Sequence, residues 1–352
     1  MEIKRIDKQY FWDKVSFISF VLSFIILYTH TINNVMGKIG TDTIADTFML
    51  YCHGFQGQAV QMFWMISAAL FYRDFRIGGA NEVLKKYKSR FHSLTIPFVL
   101  WNILGMAFYG FIGAIPFLRG MVNQLVLPTW EFYDILEGVF HYKFNIIFWF
   151  IYDLLLLVLI CPVILFFIKK KWTALLFVVA VEYLAINYKQ FFYSARCPEG
   201  WYCYFIAAFI GLHYFDKFQY RFNKKVNLTM LVLGFILMGI MVFVPDMQFM
   251  LHIVLSLCVS CFLWFGFEML MPLYRKWMKG MSMFVYAIHF NISMVVSKLL
   301  IMVPVPFSVN TTIHILTVLF VATAITLILS VFIGLLLKRN IPNLYYKLTG
   351  GR

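Results

Sequence analysis

Charged residues are scarce. Asp, Glu, Lys and Arg together make up 13% of the 352 residues, whereas a soluble domain carries about 25%, so water is excluded as the main solvent. No stretch is long or polar enough to form a separate soluble domain. The first apolar run, from near Val15 to about Asn34, lacks a small-residue cleavage site and therefore reads as a retained span, not a removed signal peptide. A metal signature is also missing, because His30, His53 and His289 lack the close spacing of a site built on one helix. Neither a Gly-rich phosphate loop nor a nucleophile elbow is present. No internal repeat and no matched pair of Gly/Pro-broken helices mark the two halves found in many transporters.

What fills the chain is apolar: 62% hydrophobic residues with 40 Phe, and a mean hydropathy of +0.80. Stretches of about 20 apolar residues recur from end to end, the length that crosses a hydrocarbon core near 30 Å. The formal net charge of +14 raises the question of nucleic acid, but the cations sit in short clusters between apolar runs, where orientation in a membrane explains them. No nucleic-acid partner is expected. Cys52, Cys161, Cys258 and Cys261 lie in or beside apolar runs and read as packing residues. Cys197 and Cys203 bracket a short segment placed outside, where a disulfide is one reading and a second cysteine inside the next helix is the other.

Following the basic clusters gives an all-α, polytopic integral membrane protein with about ten transmembrane helices and both termini cytoplasmic, read as one transmembrane domain over residues 1–352. Lys4, Arg5, Lys8 and Lys14 precede span 1. Span 2, about Phe48 to Tyr72, runs into Arg73, Arg76, Lys85, Lys86, Lys88 and Arg90, and span 3, about Leu94 to Ile115, opens with Pro97 in its first turn. The long connection from Pro116 to Lys143 mixes aromatics with Glu131, Asp134 and Glu137, as an interfacial helix or an ordered loop would. Spans 4 and 5 flank Lys169, Lys170 and Lys171; span 6 is short, near Trp201 to Tyr214, and leads to Lys217, Arg221, Lys224 and Lys225. Spans 7 and 8 turn at Pro245-Asp246 and end at Arg275, Lys276 and Lys279, and spans 9 and 10 meet near Pro304 and Pro306 before Lys338 and Arg339.

Polar groups inside a membrane are costly, so each is a functional candidate until a structural partner explains it. His30, late in span 1, carries an imidazole able to take up and return a proton near neutral pH, or else one bonded to a helix-end carbonyl. His53, Gln56, Gln58 and Gln61 enter span 2 from the same side, lining one cavity with His30 or facing headgroups. Asp153, which follows Trp149, and Glu182 are intramembrane carboxylates suited to orienting a histidine or a cation, and His289 follows Tyr286 in span 9. The cluster Arg73, Arg76, Lys86 and Arg90 is either a topology anchor on anionic lipid or a cradle for a phosphorylated cytosolic donor.

Several segments together resemble the acyltransferase-3 family of bacterial membrane O-acyltransferases. They are Phe24 to His30; the run Met62 to Leu70, with Ala68 at the family's glycine; Tyr87 to Phe98 with Trp101; Phe148 to Leu154 with Pro162; and Val285 to His289. The resemblance implies transfer of an acyl group, usually acetyl from acetyl-CoA, to a hydroxyl of a cell-envelope glycan by a multi-pass protein of the bacterial plasma membrane. Acyl-CoA and the glycan are then partners along with membrane lipid, with no bound cofactor. The family's first-span histidine maps onto His30, whose implied role is to activate the acceptor hydroxyl or relay the acyl group. Where the family commonly has an arginine upstream of that histidine, Ser19 and Phe20 stand here. Lys14 or the Arg73/Arg76 pair then substitutes, or the donor is bound differently, or activity is reduced. A glycan transporter or flippase and an inactive homologue are the competing readings.

Overall fold

The computed structural model describes residues 4–39, 43–76, 80–119, 127–188, 200–244, 249–303 and 311–351. Almost all of them are helical, because a backbone in hydrocarbon must satisfy its own hydrogen bonds. In chain order the elements are β1 (Lys4–Arg5), α1 (Lys8–Val35), α2 (Thr43–Tyr72), α3 (Ala80–Arg90), α4 (Ile96–Ala114), α5 (Pro116–Arg119), α6 (Phe132–Phe140), α7 (Trp149–Leu159) and α8 (Cys161–Ile168). They continue with α9 (Lys171–Asn187), α10 (Tyr202–Tyr214), β2 (Tyr220–Arg221), α11 (Lys224–Phe243), α12 (Phe249–Gly266), α13 (Met281–Ile301), α14 (Thr311–Asn340) and α15 (Pro342–Thr349).

Lipid as solvent is written on α14. Ile328 is 65% exposed and Phe332 56%, while the hydroxyl residues Thr326 and Ser330 are fully buried. A helix of a water-soluble core does the reverse. Among the described residues six helices are long and apolar enough to cross a membrane: Lys8–Val35, Asn81–Ala114, Lys224–Phe243, Leu251–Leu273, Met281–Ile301 and Thr311–Asn340. A seventh is gained if Ile146–Leu159 and Cys161–Ile168, bent by 64°, form one span. The other three expected crossings are helices of a different character. α2 has 30 residues, but Gln56, Gln58 and Gln61 dilute its apolar surface; α9 has 17 residues and α10 only 13, fewer than the about 20 that a full crossing takes.

Two prolines bend the expectation. Pro97 lies in the first turn of α4, as expected, but α3 runs into α4 without a loop, through a π-helical turn, Phe91–Thr95, in which the Ile96 N–H bonds to the Phe91 carbonyl. The wider turn relieves the clash that a proline ring makes with the preceding turn. The basic residues Lys85, Lys86, Lys88 and Arg90 therefore lie on a helix, not in a loop. Pro162 breaks α7 from α8, and the Leu159 carbonyl left at the break accepts from the Tyr87 hydroxyl at 2.7 Å. The segment after α5 does hold a helix, α6, with Phe132 and Tyr133 exposed and Asp134 buried. Lys143 lies 2.6 Å from Asp134 and 3.0 Å from Glu137.

The chain forms two compact units, Met1–Arg76 with Gly200–Leu335, and Ile77–Glu199 with Leu336–Arg352. In the first, α1 packs on α2 and α13, α10 on α2, and α11 on α12. Small residues let these backbones approach: a Cβ on Gly211 would lie 2.5 Å from the Ala69 carbonyl oxygen, and one on Gly266 would lie 2.6 Å from Leu231 Cα. Ile32, Val35, Ala45, Met49, Ile315, Val318 and Leu319 make an apolar cluster joining α1, α2 and α14. In the second unit α4 is the spine. Trp101 Nε1 donates to the Leu348 carbonyl at 2.9 Å, and Asn102 Nδ2 donates to the Val139 carbonyl at 3.1 Å.

Candidate active site

Two of the intramembrane histidines meet in the first unit. His30, late in α1, and His289, in the middle of α13, have ring centroids 5.3 Å apart, although 259 positions separate them in sequence. Polar contacts fix the register of the two helices: Ser23 Oγ donates to the Ser282 carbonyl at 3.1 Å, and Asn34 Nδ2 donates to Ser293 Oγ at 3.1 Å. His289 is completely buried. Its Nδ1 lies 2.7 Å from the Tyr286 carbonyl and 3.0 Å from the Val285 carbonyl. Carbonyls only accept, so these contacts assign the proton to Nδ1 and leave a lone pair on Nε2. That Nε2 has no hydrogen-bond partner among the described residues, an unusual condition for a buried nitrogen. The two imidazoles, with centroids 5.3 Å apart and planes inclined by 42°, are therefore in ring contact without a hydrogen bond to His289 Nε2. The edge of Phe290 closes another side of His30 at 5.3 Å.

The remaining polar candidates have more ordinary work. Gln58 is buried and donates to the Ser256 carbonyl at 3.1 Å and to Ser260 Oγ at 2.6 Å, clamping α2 to α12. Gln61 donates to the Tyr202 hydroxyl on α10 at 3.1 Å. His53 is half-buried on α2, next to Cys52, whose sulfur takes the Tyr28 hydroxyl at 3.9 Å. Tyr286 supplies the carbonyl that pins His289, and its ring lies 6.1 Å from the imidazole. Trp149, Asp153 and Glu182 belong to the second unit, both carboxylates buried. The four basic candidates are divided: Arg73 and Arg76 in the first unit, Lys86 and Arg90 in the second. Arg73 stacks its guanidinium over Trp12 at 5.0 Å and Phe215 at 5.2 Å and pairs with Asp74 at 3.2 Å. Cys197, half of the disulfide considered above, lies outside the described residues, and Cys203 is buried in α10.

The same unit holds a buried ion pair between the N-terminal part of α1 and the segment after α12. Lys14 is fully buried on α1, with its ammonium 3.0 Å from Glu268 Oε2 and 5.0 Å from the Trp264 ring centroid. Glu268 also accepts from the Tyr10 hydroxyl, and Arg221 Nη1 stands 3.9 Å away. A glutamate at the end of a long apolar run was the available signal. Cavities open among the described residues of this unit. One of about 330 Å³ is apolar and bordered by residues such as Phe11, Met62, Ile210 and Trp264. Another, about 920 Å³, has a mixed wall in which Lys4, Tyr10, Arg221, Lys224 and Glu268 alternate with apolar residues such as Phe222 and Met271. Neither is bordered by His30.

A family model described as an acyltransferase domain matches residues 17–334, nearly the whole chain. The chain belongs to the acyltransferase-3 family. As such it is a multi-pass membrane acyltransferase. No curated protein and no solved structure matches it. The family assignment sharpens one departure. Of the two substitutes for the absent first-span arginine, Lys14 is neutralised by Glu268, and Arg73 is held between two aromatic rings.

Proposed function

We propose that the protein transfers an acyl group, acetyl being the simplest, from cytosolic acyl-CoA to a hydroxyl of a cell-envelope or exported glycan. It does so from a bacterial plasma membrane, in a topology of ten spans with both termini in the cytoplasm. The observation that carries the reading is the His30–His289 pair, in a member of an acyltransferase family. His289, with its proton held on Nδ1 by two carbonyls, keeps an Nε2 lone pair that makes no hydrogen bond among the described residues and that a reorientation of the adjacent His30 ring would engage. Formed as the substrate enters, such a hydrogen bond would fix the tautomer of His30 and leave its other nitrogen as a base.

In the reaction His30 removes the proton of the acceptor hydroxyl as the oxygen attacks the thioester carbonyl. The tetrahedral intermediate collapses, the C–S bond breaks, the proton passes to the departing CoA thiolate, and the ester remains on the glycan. His30 is the catalytic residue and His289 a positioning residue. Orientation is supported by three chain segments rich in cations, around Lys4, Lys224 and Arg275, which border or adjoin one cavity at the same end of the first unit.

The test is mass spectrometry of envelope glycans from cells expressing wild-type protein or His30→Ala, with expression matched. Loss of an acyl mass increment in the variant is expected, and its persistence would refute the role of His30. The absent arginine favours one further reading, an inactive homologue. Glycan-dependent release of CoA by the purified wild type would eliminate it.

A further inference from the structure

In the second unit the contacts of α4 with the chain that follows it run in order, and the order sets a depth. A Cβ on Gly113 would lie 3.2 Å from Leu127 Cδ2, and the Trp130 ring covers Gly110. Asn102 Nδ2 donates to the Val139 carbonyl at 3.1 Å, and Asn145 Nδ2 donates to the Trp101 carbonyl at 3.4 Å. Phe98 then meets Phe148 and Tyr152, with ring centroids 6.0 and 6.1 Å apart, and the Tyr87 hydroxyl of α3 donates to the Leu159 carbonyl. Residue numbers fall along α4 and α3 as they rise through α6 and α7. The latter pair therefore descends as one column, antiparallel to the former.

The helix they descend along, Asn81–Ala114, has 34 residues, about 50 Å at the α-helical rise, whereas the hydrocarbon core is about 30 Å thick. Its α3 part carries Lys85, Lys86, Lys88 and Arg90 and stays out of the hydrocarbon, so α4 fills it. Asn102, twelve residues before Ala114, then lies about 18 Å below that end, near the middle of the core. At this level the descending column is interrupted. α6 ends at Phe140, α7 begins at Trp149, and between them residues 141–145 are not helical. Tyr142 there has a φ of 52°, a left-handed conformation that a side chain disfavours and that turns the backbone sharply. Nine residues in α6 and eleven in α7 supply between them the about 20 that a crossing takes.

Charge collects at the break. Lys143 pairs with Asp134 at 2.6 Å and with Glu137 at 3.0 Å; the Asp134 side chain is sealed, but those of Glu137 and Lys143 are 34% and 36% exposed. His141 is exposed as well, and its N–H donates to the Glu137 carbonyl at 2.9 Å. Irregular backbone and charged groups at this depth persist only inside protein or against water. Half-exposed side chains are not inside protein, which leaves water. A different face of α6 meets lipid, where Phe132, Tyr133 and Phe140 are 78%, 70% and 59% exposed.

We infer that α6 and α7 are the two halves of one broken membrane crossing, and that the unwound residues between them border a water-filled crevice, about halfway through the bilayer, where Glu137, His141 and Lys143 meet hydrated polar solutes. In this crossing α7 is continued by α6, and α8, bent from α7 by 64°, lies beyond it. The crevice is a property of the second unit and stands whether or not His30 is catalytic.

Engineered thiols report the crevice. In membrane fragments open on both faces, a charged methanethiosulfonate reagent attacks only thiols that can ionise in water. Intact-protein mass spectrometry counts the adducts above those of the wild type, whose six cysteines set the background. His141→Cys is expected to react at least about tenfold faster than Phe140→Cys, because lipid keeps the second thiol neutral and the reagent out, although the two positions are adjacent and both exposed on the protein surface. Glu137→Cys, which leaves the Lys143–Asp134 pair in place, is expected to match His141→Cys and keeps the test available if that variant fails to fold. Labelling of Phe140→Cys as fast as that of the other two would put α6 in open water outside the membrane. Slow labelling of all three would show the break sealed from water. Either result overturns the inference.

Discussion

Glu268→Gln isolates one buried charge. Lys14 is completely buried and Glu268 7% exposed, with 3.0 Å between nitrogen and oxygen. At that distance two unit charges attract by about 5 kcal/mol at an effective dielectric near 20, offset largely by their desolvation. Removing only the carboxylate charge leaves the ammonium in place without compensation, and the expected cost is about 3–5 kcal/mol. Lys14→Met costs less, because Glu268 keeps the Tyr10 hydroxyl as a donor and has Arg221 only 3.9 Å away. The double variant Lys14→Met/Glu268→Gln removes both charges and is expected to recover about 2 kcal/mol or more of the summed single losses. Thermal unfolding in detergent, followed by intrinsic fluorescence, reads this as a fall of about 5–10 °C for Glu268→Gln, partly reversed in the double variant. Strictly additive losses, or a Glu268→Gln protein as stable as wild type, would show that the two side chains do not share a dry environment.

Three further outcomes follow from other contacts. His289→Asn keeps a donor for the Tyr286 carbonyl but lacks Nε2, so transfer at saturating acyl-CoA is expected to fall about 10–100-fold with its pH profile altered and the melting temperature near wild type; an unchanged turnover number and profile would dissociate His289 from His30. Gly211→Leu puts a side chain where even a Cβ would meet the Ala69 backbone at 2.5 Å, so α10 must move off α2 at a cost of about 1–3 kcal/mol or more, measured as loss of monodisperse protein in detergent. Lys143→Met strips Asp134 of its ion partner at about 1–3 kcal/mol. Desolvation pushes the Asp134 carboxyl up, but hydrogen bonds from Lys143 and Thr129 outweigh it and hold the group below its ordinary value; hydrogen bonds to Asp134 and Glu137 hold Lys143 above its own. The melting difference between wild type and Lys143→Met should be constant around neutral pH. It should shrink in acid as Asp134 protonates through its lowered value and in strong base as Lys143 deprotonates through its raised one.

The parts of this fold that are legible in sequence are those set by solvent. Lipid demands helices of a given length, and alternating basic clusters mark where they end, so α1, α11, α13 and α14 lie close to the runs expected for them. Helix starts governed by proline are less legible. Pro97 marks the first turn of α4 correctly, but it does not reveal that α3 runs into that turn through a π bulge, which only the Ile96–Phe91 hydrogen bond shows. Apolarity likewise cannot reveal that α10, at 13 residues, lies against α2 through Gly211, because that packing depends on the backbone of a distant helix.

The same division governs the site. His30 and His289 are each conspicuous, since an imidazole in an apolar run needs a reason, but their meeting is a property of how α1 crosses α13 and has no local trace. Lys14 shows the converse. Read alone it is the nearest cation upstream of His30 and a natural replacement for the arginine common in the family; in three dimensions Glu268, 254 positions away, has already taken its charge. A cation can bind a substrate phosphate only if its field is not spent within the protein, and that condition fails for Lys14 and in part for Arg221, which stands 3.9 Å from the same carboxylate.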